Sequence, residues 1–183
     1  MSTHKPIKIT FTLDEQDAAY FRGLYQGAKK NAANLDPNTV IESARGLISR
    51  VRSGKKVPNF VTEAITTLET LMGMLEDKDY ALPKEEASAV LAALAYFANP
   101  QDLIPDEVPG LGFLDDAIMI KLVDEEFEHE LWAYRKFRKL VEGMELRPWT
   151  EVAQQRRASR IAEFREQVRA EISKRKSRRR FLW

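Results

Sequence analysis

Residues 96–120 read YFANPQDLIPDEVPGLGFLDDAIMI. Three prolines (Pro100, Pro105, Pro109) and two glycines (Gly110, Gly112) sit beside Asp102, Asp106, Glu107, Asp115 and Asp116. Proline forbids a continuing helix and glycine permits unusual turns, so the stretch reads as a stiff acidic corner. Apolar runs with helical spacing flank it on both sides. A corner between two apolar helices implies an all-α chain folded back on itself.

Upstream of the corner, Ala87 to Ala98 is small and apolar nearly all round, which predicts the central buried helix. Pro83 opens it, and Glu85 and Glu86 fall in its first turn, where the helix dipole favours anions. Earlier helices follow from their stop and start signals. Asp14 caps one running to about Ala33. Asp36-Pro37 starts a second that Gly54 ends, and Pro58 opens a third. Downstream, one long helix is expected from about Leu114 to Glu142. Its main stripe is Ile120, Val123, Phe127, Leu131, Tyr134 and Val141. Ile118 and Leu122 lie on the other side, so its first half should be buried on both sides. Pro148 marks a break, and a last helix is expected from roughly Glu151 to Lys176 with Ile161, Phe164, Val168 and Ile172 as its apolar stripe.

The expected fold is therefore an all-α compact bundle of about five main helices. It has a Pro/Gly/Asp-rich corner loop and a protruding basic C-terminal helix. Three segments are expected: residues 1–13 as an N-terminal arm or short strand, 14–149 as the helical bundle, and 150–183 as a basic helix and tail. Lys8 to Leu13 (KITFTL) alternates like a strand but has no evident partner in the chain.

The chain has 183 residues, ample for a sizeable core. It has no cysteine, so disulfides, thiolate nucleophiles and zinc-thiolate sites are excluded. No signal-like core follows the first basic residues, and the longest apolar run falls short of the ~20 residues a membrane span needs. The reading is a soluble, cytoplasmic protein, with peripheral membrane association as the variant that its tail allows. Net charge is +1, unevenly spread. From Thr150 onward eleven Lys and Arg stand against four Glu, giving +7; the rest has 18 basic against 24 acidic residues, giving −6. A basic tail on an acidic body calls for an anionic partner or for docking of tail on body.

The acids of the corner allow two readings. Asp102, Asp106, Asp115 and Asp116 could converge on a divalent cation, the only cofactor the chain suggests, since hard cations want several carboxylate oxygens at one point. In the other reading they are caps: Asp102 on a turn at Leu103-Ile104, Asp115 and Asp116 on the first turn of the long helix. Leu103, Ile104, Val108, Leu111 and Phe113 would then pin the loop to the core. Capping is preferred, because caps are common and no EF-hand spacing is present. Asp116 shares the stripe of Ile120 and Val123, so it should point inward and need a partner.

The run LAYFANPQDLIPDEVPGLGFLDDAIMI, within about residues 94–123, resembles the signature of the YkvA-like bacterial proteins, a domain of unknown function. The Pro, Asp and Gly spacings all agree. The resemblance implies a small helical domain with no established enzymatic activity. It also implies membrane association at this segment in some members; here five acids interrupt the apolar run.

Glu126-Phe-Glu-His129 has the Glu-x-x-His spacing of di-iron bundles, but that design needs two such motifs and only His4 and His129 exist. A homodimer could supply a second copy; an exposed histidine among acids is preferred. No nucleophile elbow or glycine-rich phosphate loop appears. The tail is the better lead. Arg156, Arg157, Arg160, Arg165, Arg169, Lys174, Arg175, Lys176, Arg178, Arg179 and Arg180 surround the last helix, and Phe181-Leu182-Trp183 follow. Such a surface suits nucleic-acid phosphates or an anionic membrane. The leading function is a non-enzymatic binding or adaptor protein acting through residues 150–183. The alternative is a metal-dependent hydrolase using the four aspartates.

Overall fold

A computed structural model of the chain describes residues 12–54, 57–98, 103, 104, 108, 111–144 and 150–180, with the side chains of 178–180 excepted. Seven helices and no strand occur among these residues: α1 (Glu15–Asn31), α2 (Pro37–Ser53), α3 (Asn59–Glu76), α4 (Lys84–Leu94), α5 (Leu114–Glu126), α6 (Glu128–Glu142) and α7 (Glu151–Arg180). Short 3-10 turns extend α1 (Ala32–Asn34) and α4 (Ala95–Ala98). The chain is an all-α bundle. Residues 1–11, where the N-terminal arm is expected, lie outside the described residues, as does the break at Pro148.

Local chemistry sets the helix starts. The Asp14 carboxylate accepts from the Gln16 and Asp17 amides, while Asp17 accepts from the Asp14 amide, a reciprocal capping box. Asp36 accepts from the Thr39 amide, with Pro37 at the first helical position. Pro58 and Pro83 stand at the N-caps of α3 and α4.

The centre of the bundle is α3, not α4. Val61, Ile65, Leu68, Leu71, Met72 and Met74 of α3 are buried, and α3 packs against α2, α4, α5 and α6. Only Val90, Ala93 and Leu94 are buried on α4. Its alanines are apolar on every face but too small to fill a central position, whereas the larger side chains of α3 interdigitate with four neighbours.

The expected long helix is two. α5 and α6 meet at Phe127, whose ring is buried and whose backbone departs from helical values (φ −101°, ψ 19°). The Phe127 amide still donates to Val123 and its carbonyl still accepts from Leu131, so the bend is shallow in hydrogen-bonding terms. No Pro or Gly causes it. It lets α5 pack on α3 and α1 while α6 packs on α3 and α7.

α7 runs past the expected Lys176 to Arg180. It lies along α6, burying Ile161, Val168 and Ile172, with Phe164 half-buried.

Leu68 is fully buried at the centre of α3. Leu68→Ala is expected to lower unfolding free energy by about 2–5 kcal/mol in urea denaturation. Leu111→Ala, at an exposed leucine of the corner, should change it by less than about 0.5 kcal/mol.

Candidate functional site

The corner closes through one carboxylate. Asp115 lies in the first turn of α5 and is 2% exposed. Its Oδ2 accepts from the Leu103 amide at 2.8 Å and the Ile104 amide at 3.3 Å. The Leu103-Ile104 turn thus receives a carboxylate from twelve residues downstream; the cap expected of Asp102 falls on a residue outside those described. Asp115 does not cap its own helix; it ties the helix start to the loop before it. Its Oδ1 is buried without a hydrogen-bond partner. Asp116 is buried too, as its place on the Ile120 stripe predicts. Phe113 enters α5 in the left-handed conformation (φ 65°), which a bulky residue holds only under tertiary constraint. The expected apolar pins are only partly in place. Ile104, Val108 and Phe113 are half-buried, but Leu103 and Leu111 are exposed, because the backbone bonds to Asp115 already fix the turn. Asp102 and Asp106 lie outside the described residues. Among the described residues, no group of three or more His, Asp or Glu stands together in a way that could hold a metal ion.

A second acidic turn, between α3 and α4, forms the other hub. Asp77 ends α3. Its Oδ1 accepts from the Asp79 and Tyr80 amides, and its Oδ2 accepts from the Tyr134 hydroxyl and Arg138 Nη1, each at 3.2 Å. Burial and the Asp77 charge push the Tyr134 phenol up to about 12. Gly73 makes room for this approach: a Cβ there would stand 3.1 Å from the Tyr134 hydroxyl. Tyr80 is buried against Tyr134 and Phe137, with ring centroids 5.0 and 5.1 Å away.

The same turn receives α7. Arg157 Nη2 lies 2.8 Å from Asp79 Oδ2, and Arg169 Nη2 donates to the Ala81 carbonyl at 2.9 Å. Further along, Lys136 of α6 pairs with Glu171 at 2.5 Å, and Arg175 stacks 3.8 Å from the Trp132 ring centre. Lys176 pairs with Glu130, which is 6% exposed. Arg157, Arg169, Arg175 and Lys176 of the tail are therefore turned onto the body. Arg160 pairs with Glu163 on its own helix and Arg165 is half-buried. Arg156 and Lys174 are exposed. The backbone of Arg178, Arg179 and Arg180 continues the helix.

A groove of about 590 Å³ opens between α1, α3 and α5. Phe21, Phe60, Ala64, Ile118 and Leu122 line it, with Arg22, Lys121 and three acids among the polar groups. Ile118 and Leu122 were expected to be buried; they are half-buried here, because the second apolar side of α5 faces this groove rather than another helix.

The family model described as "Protein of unknown function (DUF1232)" matches residues 87–122, from α4 through most of α5 and including the Asp115 tie. The chain is also 36% identical, over 77 residues, to the "Uncharacterized membrane protein YkvA" of Bacillus subtilis (strain 168), a match spanning 40% of this chain and 71% of that protein. This chain belongs to the YkvA-like DUF1232 family. No solved structure matches it. The DUF1232 segment stops before α6, so α7 and its cations lie outside it. Within the segment, among the described residues, no helix is long and apolar enough to cross a membrane.

Among the described residues the Glu-x-x-His motif joins no group that could hold a metal ion. Glu126 pairs with Lys29 of α1 at 2.5 Å, and the bend at Phe127 intervenes. His129 is half-buried, not exposed, and its Nδ1 is buried without a hydrogen-bond partner. The Asp77–Ala81 hub escaped sequence reading because Asp-Lys-Asp between helices looks like any solvated turn. The unusual density of Arg on α7 was the available signal for an acceptor on the body.

Near Lys176 and Arg169, Glu86 is pushed above the ordinary carboxylate range, first by burial and then by the like charge of Glu130. Its unfolded form therefore releases its proton at lower pH than its folded form, and stability falls as pH rises through that interval. Glu86→Gln should raise the melting temperature at pH 7. The gain should vanish on acidification below the ordinary glutamate pKa of about 4.3, where both states are protonated. A melting series against pH reads this directly.

Proposed function

We propose that this protein is a non-enzymatic binding protein that engages an anionic surface through α7, and that an anionic membrane is that surface. One observation carries the reading. The cations of α7 divide into a set turned onto the body and a set that, among the described residues, has no body partner. By the 3.6-residue repeat, Arg156, Arg160, Lys174 and Arg178 share one flank of the helix. Among the described residues, Arg156 and Lys174 are exposed with no body carboxylate paired to them, and Arg160 meets Glu163 and the Phe164 ring, both on its own helix. Each Lys or Arg brought near an anionic leaflet contributes about 1 kcal/mol. Four on one flank suffice for reversible, salt-sensitive attachment. The relative from Bacillus subtilis is named a membrane protein, which favours lipid over nucleic acid as the anionic partner.

Co-sedimentation tests this. The full chain should bind phosphatidylcholine vesicles containing phosphatidylglycerol at low salt, and pure phosphatidylcholine vesicles weakly. The quadruple variant Arg156→Glu, Arg160→Glu, Lys174→Glu, Arg178→Glu should lose roughly 100- to 1000-fold in affinity. Equal binding to both vesicle types, or an unaffected variant, contradicts the reading. Duplex binding in a mobility-shift assay without vesicle binding would turn it to nucleic acid.

The alternative, a metal-dependent hydrolase using Asp102, Asp106, Asp115 and Asp116, has one observation in its favour: the buried, unpartnered Oδ1 of Asp115. Against it, Oδ2 of the same residue is committed to two amides. Calorimetry with Mg²⁺, Mn²⁺ and Ca²⁺ decides: heat lost in Asp116→Ala supports a site, and no heat at millimolar metal ends the idea.

A further inference from the structure

α7 has a thin apolar stripe, Ile161, Phe164, Val168 and Ile172, with cations on both flanks by helical spacing. In this fold the stripe packs on the body, and cations within and beside it are held there by four contacts on two elements: Arg157 to Asp79 and Arg169 to the Ala81 carbonyl in the α3–α4 turn, and Lys176 to Glu130 and Arg175 to Trp132 on α6. An amphipathic helix with a narrow apolar stripe and basic flanks is also the form that lies in a membrane interface. Phosphate oxygens suit the same guanidinium and ammonium groups as Asp79, the Ala81 carbonyl and Glu130 do. One stripe and one set of cations thus have two chemically equivalent destinations, and they cannot occupy both.

We infer that α7 is a latch that exchanges between the body and an anionic membrane: the contacts to Asp79, Ala81, Glu130 and Trp132 hold it closed, and lipid phosphates displace them while the stripe moves from α6 to the acyl boundary. This rests on the reading of α7 as the anion-binding helix and adds its regulation. The body contacts are suited to exchange. Asp79 and its partner are partly exposed, so that pair is weak. Glu130 is buried, but Lys176 is more than half exposed, so its ammonium can leave without crossing the core. The apparent affinity for vesicles is then the intrinsic affinity multiplied by the fraction of α7 released, and weakening the latch raises it in proportion as that fraction rises.

The test compares full-length variants on phosphatidylglycerol-containing vesicles, with circular dichroism confirming each fold. Asp79→Asn and Glu130→Gln remove two latch acceptors. Glu63→Gln with Glu125→Gln removes the same charge from the α1–α3–α5 groove and serves as an isocharge control. The latch double variant should bind roughly three- to ten-fold tighter than the unsubstituted protein, and the control should match the unsubstituted protein. Asp79→Asn alone, at a partly exposed residue, should give part of the gain if Glu130→Gln impairs folding. Equal gains in both pairs would mean that net charge alone acts, and the latch falls. No gain, or a loss, in the latch variants would mean that α7 binds lipid while docked, which also overturns it. Binding by none of the proteins would remove the anion-binding reading itself, and the latch with it.

Discussion

The helix with the greatest excess of positive charge lies against a body of opposite sign, and the arrangement depends on where that charge is neutralised. Asp79, the Ala81 carbonyl and Glu130 draw Arg157, Arg169 and Lys176 inward. Without them α7 would rest on the Ile161, Phe164, Val168 and Ile172 stripe with few polar ties, and such a stripe is narrow for a 30-residue helix. With them, a helix that is polar on most faces becomes a fixed layer over α6. Asp77 braces the turn that carries two of these acceptors, through bonds to two amides of that turn and to Tyr134 and Arg138 of α6. Tyr134 passes close to Gly73 on its way to Asp77; a Cβ there would stand 3.1 Å from its hydroxyl and make the side chain give by a few tenths of an ångström.

Most helix starts were legible because they are local. Asp14, Asp36-Pro37, Pro58 and Pro83 act within one turn of their helices, and each stands where its signal predicts. The burial of Asp116 was legible from its stripe. What escaped was set at a distance. The Phe127 bend has no breaker residue; it follows from α5 and α6 serving different neighbours. The central place of α3 over α4 is a matter of side-chain volume, which an apolarity pattern does not register. The partner of the Leu103-Ile104 amides is Asp115, beyond the reach of local capping rules. The basic tail was visible as a charge excess, but charge alone does not say which guanidiniums face inward.

The family segment and the basic helix are separate parts of the chain. The DUF1232 stretch includes most of α4, the Asp115 tie and most of α5. α6 and α7 add the surface on which charge is stored.

Hydrogen exchange along α7 in the full chain, with and without phosphatidylglycerol vesicles, tests the balance between body and partner most directly. In the free protein the amides of residues 161–172 should be protected well beyond those of an isolated helix, while the α6 amides are protected to a similar degree. On vesicle binding α6 should lose protection as α7 leaves it, and α7 should keep its own. Free α7 amides exchanging as fast as those of a solvated peptide, or α6 protection unchanged by lipid, would contradict the account.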